Sequence, residues 1–313
     1  MRGKPVIRAM RESNTMSAPT AELEPCPPPT PPPTAGRRTA FDRPRDWLDN
    51  RFVYAVLSSR AGGLSLGLNL NPDRRCNFDC CYCEVNRRLP APERKLDVKV
   101  MAQELARSLQ LVRQGLLRFR PGYQSLSPDL LQLRHVALSG DGEPTLAPDF
   151  VAAVQAVMRV RALKGFFKIV LLTNGAGLDR PGVSRGLGLL TEADEIWIKL
   201  DGGTQSYVDT VNRPDVPLAK ILANILLVAR QRPVIIQSLF PALRGADPPW
   251  GEIEAYILRL QELQAAGARI GLVQIYSAAR PAAHSDWGHV PLHVLSRIAQ
   301  AVRQATGLRA EFF

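Results

Sequence analysis

Six short apolar runs recur along the chain from residue 63 onward, and their spacing limits the folds available to it. They are GLSLGLNL (63–70), HVALSG (135–140), KIVLLTNG (168–175), DEIWIKLD (194–201), VIIQSLF (234–240) and GLVQIYS (271–277). Apolar runs of this length bounded by turn residues read as strands buried on both faces. Between them lie segments with helical spacing. Val98, Met101, Leu105, Leu109 and Val112 form one, Leu218, Ile221, Leu222, Ile225 and Ala229 a second, and Ile253, Ile257, Leu260 and Leu263 a third. Strand and helix in alternation require parallel strands joined by crossover helices, an α/β fold. Six units rather than eight predict an open, partial (β/α)6 barrel of the TIM type. Such folds carry their chemistry on loops after the C-terminal strand ends, so polar motifs should follow the strands here. They do.

This places a barrel core at 63–281, preceded by a lead-in (41–62) and followed by a C-terminal helical extension (282–313). Residues 1–40 contain PCPPPTPPPTAGRR, a composition that builds no core and predicts a disordered tail. Met10 or Met16 is an alternative start, and Cys26 falls in this tail. No run reaches the roughly 20 apolar residues that span a bilayer, and the N-terminus lacks the apolar centre of a secretory signal. Four of the five cysteines crowd into eight positions, which argues against a disulfide framework. Together these predict a cytoplasmic protein with no membrane partner. The formal net charge is +11. Arg74, Arg75, Arg87, Arg88, Arg94 and Lys95 form a basic halo around the cysteines. It either meets a polyanion such as RNA or offsets the negative charge of a thiolate-bound cluster.

The cysteine run is CNFDCCYC (76–83). Thiolates suit zinc, copper(I) and iron–sulfur clusters. Structural zinc needs four ligands, yet Cys80 and Cys83 make one pair and no cysteine follows them. His289 and His293 have a suitable mutual spacing but lie some two hundred residues away. A zinc-stabilised nucleic-acid-binding protein is therefore one alternative, and a plain iron–sulfur electron carrier another. Three closely spaced cysteines in one loop suit a [4Fe–4S] cluster with three irons anchored and the fourth open to a ligand.

Other polar motifs sit at strand ends. SGDGEPTL (139–146) follows the second run, Thr173-Asn174-Gly175 ends the third, and Lys199 and Asp201 end the fourth. Gln237 and Gln274 interrupt the apolar fifth and sixth runs; buried amides of this kind usually satisfy backbone or one another. Asn212-Arg213-Pro214 and Arg280-Pro281 fall on the expected active face as candidate substrate contacts.

The spacing Cys76-x3-Cys80-x2-Cys83, with Tyr82 before the last cysteine, resembles the signature of the radical S-adenosylmethionine (radical SAM) enzymes. The resemblance implies a partial barrel of the radical SAM kind. It also implies a [4Fe–4S] cluster on Cys76, Cys80 and Cys83, with Cys81 a packing residue, and S-adenosylmethionine on the open iron. SGDGEPTL is similar to the family's glycine–glutamate motif for the methionine amino group, which assigns that contact to Gly142 and Glu143; Asp141 replaces a glycine of the commonest form. Asn174, Asp201 and Gln237 are then placed toward the nucleoside. The implied chemistry is reductive cleavage to a 5′-deoxyadenosyl radical for hydrogen abstraction, with flavodoxin or ferredoxin as electron donor.

CNFDCCYCE, SGDGEPTL, LLTNG, KLDGG and VNRP together resemble the branch that contains the wyosine-forming tRNA enzymes. The second cysteine trio of those enzymes has no counterpart here. The lead substrate is therefore RNA or a nucleoside, the alternative a peptide or protein, including glycyl-radical activation of a partner enzyme. With no further cysteine after Cys83, direct hydrogen abstraction is expected, yielding 5′-deoxyadenosine and methionine without S-adenosylhomocysteine.

Overall fold

The computed structural model describes residues 48–85, 87, 90–91, 93–278 and 287–313. The expected tail with Met10, Met16 and Cys26, the start of the lead-in, Arg88 and Arg280-Pro281 lie outside the described residues.

In chain order the elements are β1 (Val53–Ser58), β2 (Gly63–Asn69), α1 (Val98–Arg113), β3 (Leu133–Ser139), α2 (Phe150–Lys164), β4 (Ile169–Thr173), α3 (Pro181–Leu187), β5 (Glu195–Lys199) and α4 (Gln205–Val211). There follow α5 (Leu218–Ala229), β6 (Val234–Leu239), β7 (Ala242–Leu243), α6 (Trp250–Ala265), β8 (Ile270–Tyr276), β9 (Trp287–Gly288), α7 (Leu292–Thr306) and β10 (Ala310–Phe312). One eight-stranded sheet has the order β1-β2-β3-β4-β5-β6-β8-β10. All neighbours are parallel except β1, which pairs antiparallel with β2. The sheet curls into a half-barrel. β7 and β9 form a separate two-stranded ribbon.

The six central strands are the six apolar runs, with ends shifted by at most two residues. Two more come from flanks where the sequence predicts a lead-in and a helical extension. β1 (VYAVLS) is an edge strand whose burial alternates, and it reaches the sheet through a hairpin rather than a crossover helix. β10 is three residues long, too short for periodicity to register. Gly307, in the left-handed region at φ +70°, caps α7 and turns the chain back to it.

Side chains alternate across each strand. Leu64, Leu66 and Leu68 of β2 are fully buried in the outer core that contains Met101, Leu105 and Leu109 of α1. The alternate set, Ser65, Gly67 and Asn69, turns to the concave side, the lumen. Glu104 on α1 accepts from the backbone N–H groups of Arg51, Phe52 and Val53 at 2.8, 2.9 and 3.1 Å, fixing the start of β1. Among the described residues no helix is long and apolar enough to cross a membrane.

His135 on β3 lies edge-on to Trp197, with centroids 5.2 Å apart, and is 4% exposed. Burial pulls its imidazole down to about 4; Lys168 and Arg60 add to this and Glu195 opposes it. A histidine whose folded pKa lies below the unfolded value stabilises the fold fully above about 6.5. That stability is lost as pH falls toward 4, because the unfolded chain binds the proton first. Between pH 7 and pH 5 the loss from this residue is about 2 kcal/mol. Urea unfolding at the two pH values should show this slope in the wild type and its absence in His135→Leu.

Candidate active site

The loop after β2 carries the cysteines and is pinned by backbone bonds to the segment after α4. The Asp79 N–H donates to Asn212 O at 3.1 Å, Cys81 N–H to Val211 O at 2.9 Å, and Asp215 N–H to Asn77 O at 3.0 Å. Asn212-Arg213-Pro214 thus supports the cysteine loop, and a bridge between Phe78 and Pro214 completes the clamp. Cys76, Cys80 and Cys83 are half-buried thiols. Phe78 N–H donates to Cys76 Sγ at 3.4 Å, Asn212 Nδ2 to Cys80 Sγ at 3.5 Å, and Arg87 Nη2 to Cys83 Sγ at 3.5 Å. Arg87 is held above its ordinary pKa despite its burial by the nearby Cys83, Cys76 and Cys80 sulfurs and Asp79. Cys81 turns away and is fully buried against Tyr207 and Val211.

The donor set fits a cluster better than an ion. Among the described residues no three or more His, Cys, Asp or Glu side chains form a single-ion site. A cubane takes one thiolate per iron, so its ligands surround it and need not converge on one atom. Burial raises Cys76 and pushes Cys80 up to about 12. A positive centre beside these sulfurs, as cluster iron would be, favours their thiolate forms.

Gly142 and Glu143, after β3, lie directly beneath this loop. A Cβ on Gly142 would fall 1.9 Å from the carbonyl oxygen of Arg75, the residue before Cys76. Only glycine permits that approach, and Glu143 N–H bonds the same oxygen at 3.0 Å. Asp141 accepts from Asn69 Nδ2 at 3.0 Å, while its own N–H donates to Asn69 Oδ1 at 3.0 Å. The Glu143 carboxylate, 3% exposed, is a hub. Its Oε1 accepts from Thr145 N–H at 3.1 Å, Thr145 Oγ1 at 2.7 Å and Thr173 Oγ1 at 2.5 Å, and its Oε2 accepts from Asn174 N–H at 2.8 Å. It joins the loops after β3 and β4. Burial raises its pKa although all four donors oppose the rise. Glu143→Gln keeps the shape but turns an N–H2 toward one of those donors, and should cost about 2 kcal/mol in urea unfolding.

Asn174 closes the arrangement from β4, donating through Nδ2 to Asn77 Oδ1 at 2.9 Å and standing 4.0 Å from Cys76 Sγ. Asp201, 2% exposed, gathers the opposite wall. Its Oδ1 meets Lys199 Nζ at 3.0 Å and accepts from Leu239 N–H at 2.7 Å. Its Oδ2 accepts from Asn212 Nδ2 at 2.7 Å and from the Tyr82 hydroxyl. Cys76, Cys80, Cys83, Gly142, Glu143, Asn174 and Asp201 therefore meet at one end of the barrel. Gln237 lies on the neighbouring strand with its amide given to Gln274 at 2.8 Å, both side chains buried.

Two residues of this wall have no sequence signal. Tyr276, at the end of β8, accepts from Lys199 Nζ at 2.9 Å. Arg60, in the β1–β2 turn, stacks over the Tyr276 ring at 4.0 Å.

No family model matches the sequence. In sequence the chain is similar to UPF0026 proteins. That of Helicobacter pylori is 29% identical over 176 residues, covering 56% of this chain and 50% of the relative. That of Synechocystis sp. is 28% identical, covering 55% and 57%. The matched region thus spans about half the length of these curated relatives. In structure the chain is similar to a radical SAM methyltransferase from Sphaerobacter thermophilus, with TM-score 0.57, 14% identity, and coverage of 83% of this chain and 68% of that one. SuiB of Streptococcus suis bound to S-adenosylmethionine gives 0.55 at 14% identity, covering 77% and 49%. TYW1 with a lysine–pyruvate adduct bound gives 0.50 at 16% identity, covering 81% and 84%. The chain has the fold of radical SAM enzymes, TYW1 among its structural neighbours, and its curated relatives are UPF0026 proteins.

Proposed function

We propose that the protein is a radical SAM enzyme, with RNA or a nucleoside as its substrate class. The observation that carries the reading is the convergence of the Cys76, Cys80 and Cys83 thiols with the Gly142–Glu143 loop, a single backbone oxygen at Arg75 linking the two. When bound, a [4Fe–4S] cluster and S-adenosylmethionine supply one-electron cleavage of a sulfonium bond and a 5′-deoxyadenosyl radical for hydrogen abstraction. Cys76, Cys80 and Cys83 hold that cluster, and Arg87 offsets its charge. Gly142 brings the backbone close, and Glu143 fixes the loops after β3 and β4 on which a cofactor rests. Asn174 and Asp201 set the opposite walls, and Gln237 with Gln274 forms the amide floor. The electron donor in this reading is a flavodoxin or ferredoxin.

The nucleic-acid part is supported by the rim. A cleft of about 830 Å³ beside the start of α1 is lined by Arg94, Lys95 and Lys99, with Asp97 and an Arg51–Glu93 ion pair at 2.6 Å. Arg74, Arg75, Arg87 and Arg213 lie on or against the cysteine loop. Arg87 and Arg213 share Asp79 between them, which leaves a net positive charge here, and clustered cations attract phosphates and make binding salt-dependent. The test is anaerobic incubation of the reconstituted protein with S-adenosylmethionine and reductant, in the presence of RNA pools or peptide pools. Stimulation of 5′-deoxyadenosine release by RNA alone, lost at high salt, supports the reading. Stimulation by peptides moves the substrate class, and no release with any pool removes the enzyme assignment.

A further inference from the structure

The β1–β2 turn and the end of β8 lie at opposite sides of the curled sheet, with β3, β4, β5 and β6 between β2 and β8. Even so, the Arg60 guanidinium stands 4.0 Å over the Tyr276 ring. A contact between strands so far apart in the sheet must cross the lumen. Lys199 meets the same tyrosine, with Nζ 4.9 Å from the ring centroid and 2.9 Å from the hydroxyl. Two cations thus converge on one aromatic ring inside the barrel.

Their bonding leaves capacity unused. The other charges on this side are paired: Lys199 with Asp201 at 3.0 Å, and Lys168 with Glu195 at 2.5 Å. Arg60 makes no ion pair among the described residues, and its Nε is buried without a hydrogen-bond partner. Arg60 is half-buried and its guanidinium contact is the stack on Tyr276, so its terminal amino groups remain able to donate. Lys199 uses two of its three ammonium hydrogens, one on Asp201 and one on Tyr276, which leaves one. On the lumen face Tyr54, Leu172, Ile235 and Leu272 are half-buried, as are Arg60, Lys199 and Tyr276, while His135, Trp197, Gln237 and Gln274 are buried.

We infer that Arg60 and Lys199 form an anion subsite in the lumen, which takes a carboxylate or phosphate group of the molecule on which the enzyme acts. The planar Arg60 fork matches either group in a two-point contact, and the Tyr276 ring fixes the guanidinium plane. The inference rests on the radical SAM reading only in taking the lumen as the reaction chamber.

The test uses the full, anaerobically reconstituted chain and equilibrium binding measured by NMR. The probes are guanosine 5′-monophosphate against guanosine, and benzoate against benzamide. At least one anionic probe should bind roughly ten-fold more tightly than its uncharged analogue, since charge-assisted contacts are worth about one decade. Which pair shows the preference distinguishes phosphate from carboxylate. Arg60→Gln should abolish the preference, and Arg60→Lys should restore part of it. Equal binding of charged and uncharged probes overturns the subsite, as does a preference that survives Arg60→Gln. A parallel loss of S-adenosylmethionine affinity in Arg60→Gln also overturns it, because the residue would then serve the cofactor. If the wild type holds no iron and releases no 5′-deoxyadenosine, the functional reading fails, while the charge preference and its dependence on Arg60 remain measurable.

Discussion

Cys80→Ser should lose most of its iron and brown absorbance after anaerobic reconstitution, whereas Cys81→Ser should keep both. The two residues are adjacent, so composition and loop length are the same in both variants and only direction differs. Cys80 points to the side where Asn212 Nδ2 donates to its sulfur and where Arg87 donates to Cys83 Sγ. Cys81 is buried on the other side against Tyr207 and Val211, with its own N–H fixed on Val211 O. Serine at 81 buries a hydroxyl at a cost of about 1–3 kcal/mol in stability and removes no ligand. Serine at 80 replaces a soft thiolate with a hard, weakly acidic oxygen, which iron in a cluster binds poorly. Iron content and the visible spectrum decide the matter. Equal loss in both variants would mean that the trio is assigned wrongly. A third variant, Cys83→Ser, should follow Cys80→Ser.

The direction of Cys81 could not be read from CNFDCCYC, where Cys80 and Cys81 are equivalent as letters. The resemblance to the radical SAM spacing chose between them; in the fold Cys81 is fully buried against Tyr207 and Val211, while Cys80 is half-buried beside Asn212. The six central strands were legible because each is buried on both faces and so appears as an unbroken apolar run. β1 and β10 were not, since one is an edge strand and the other has three residues. Gly142 was legible as a glycine needing close approach, but the approaching group, the carbonyl of Arg75, required coordinates. Glu143 was legible as a motif carboxylate suited to an ammonium group; the four donors from two loops that its oxygens accept from appear only in the fold. Gln237 shows the value of the plainer reading, that buried amides satisfy one another, because it meets Gln274. Arg60 carried no signal at all. It sits in a hairpin turn 216 positions from Tyr276, and only the curl of the sheet brings them together.

Asp201→Ala should be the most destabilising single change in the site, at about 3–5 kcal/mol. The carboxylate has four neighbours that need it. Lys199 Nζ is 3.0 Å away, Asn212 Nδ2 and Leu239 N–H are each 2.7 Å away, and the Tyr82 hydroxyl closes the set. Burial pulls Lys199 downward, yet Asp201 and Tyr276 hold its pKa above the ordinary lysine value, so it is a half-buried cation that depends on its partner. Removing the carboxylate leaves that cation uncompensated and strands three further donors, the costly way to break a buried pair. Removing both charges is different. Asp201→Ala with Lys199→Met deletes the ion along with its partner, so the share of the loss due to the stranded cation should return, while the three stranded donors still cost stability. The cluster loop separates this account from a simple packing defect. Asn212 donates to Asp201 and also to Cys80 Sγ, so the double variant should regain stability but still release iron faster than the wild type. Urea unfolding measures the first effect and the rate of iron transfer to a chelator the second. A double variant no more stable than Asp201→Ala would show that the stranded cation is not the source of the loss. Wild-type iron retention in the double variant would show that Asp201 does not steady the cysteine loop.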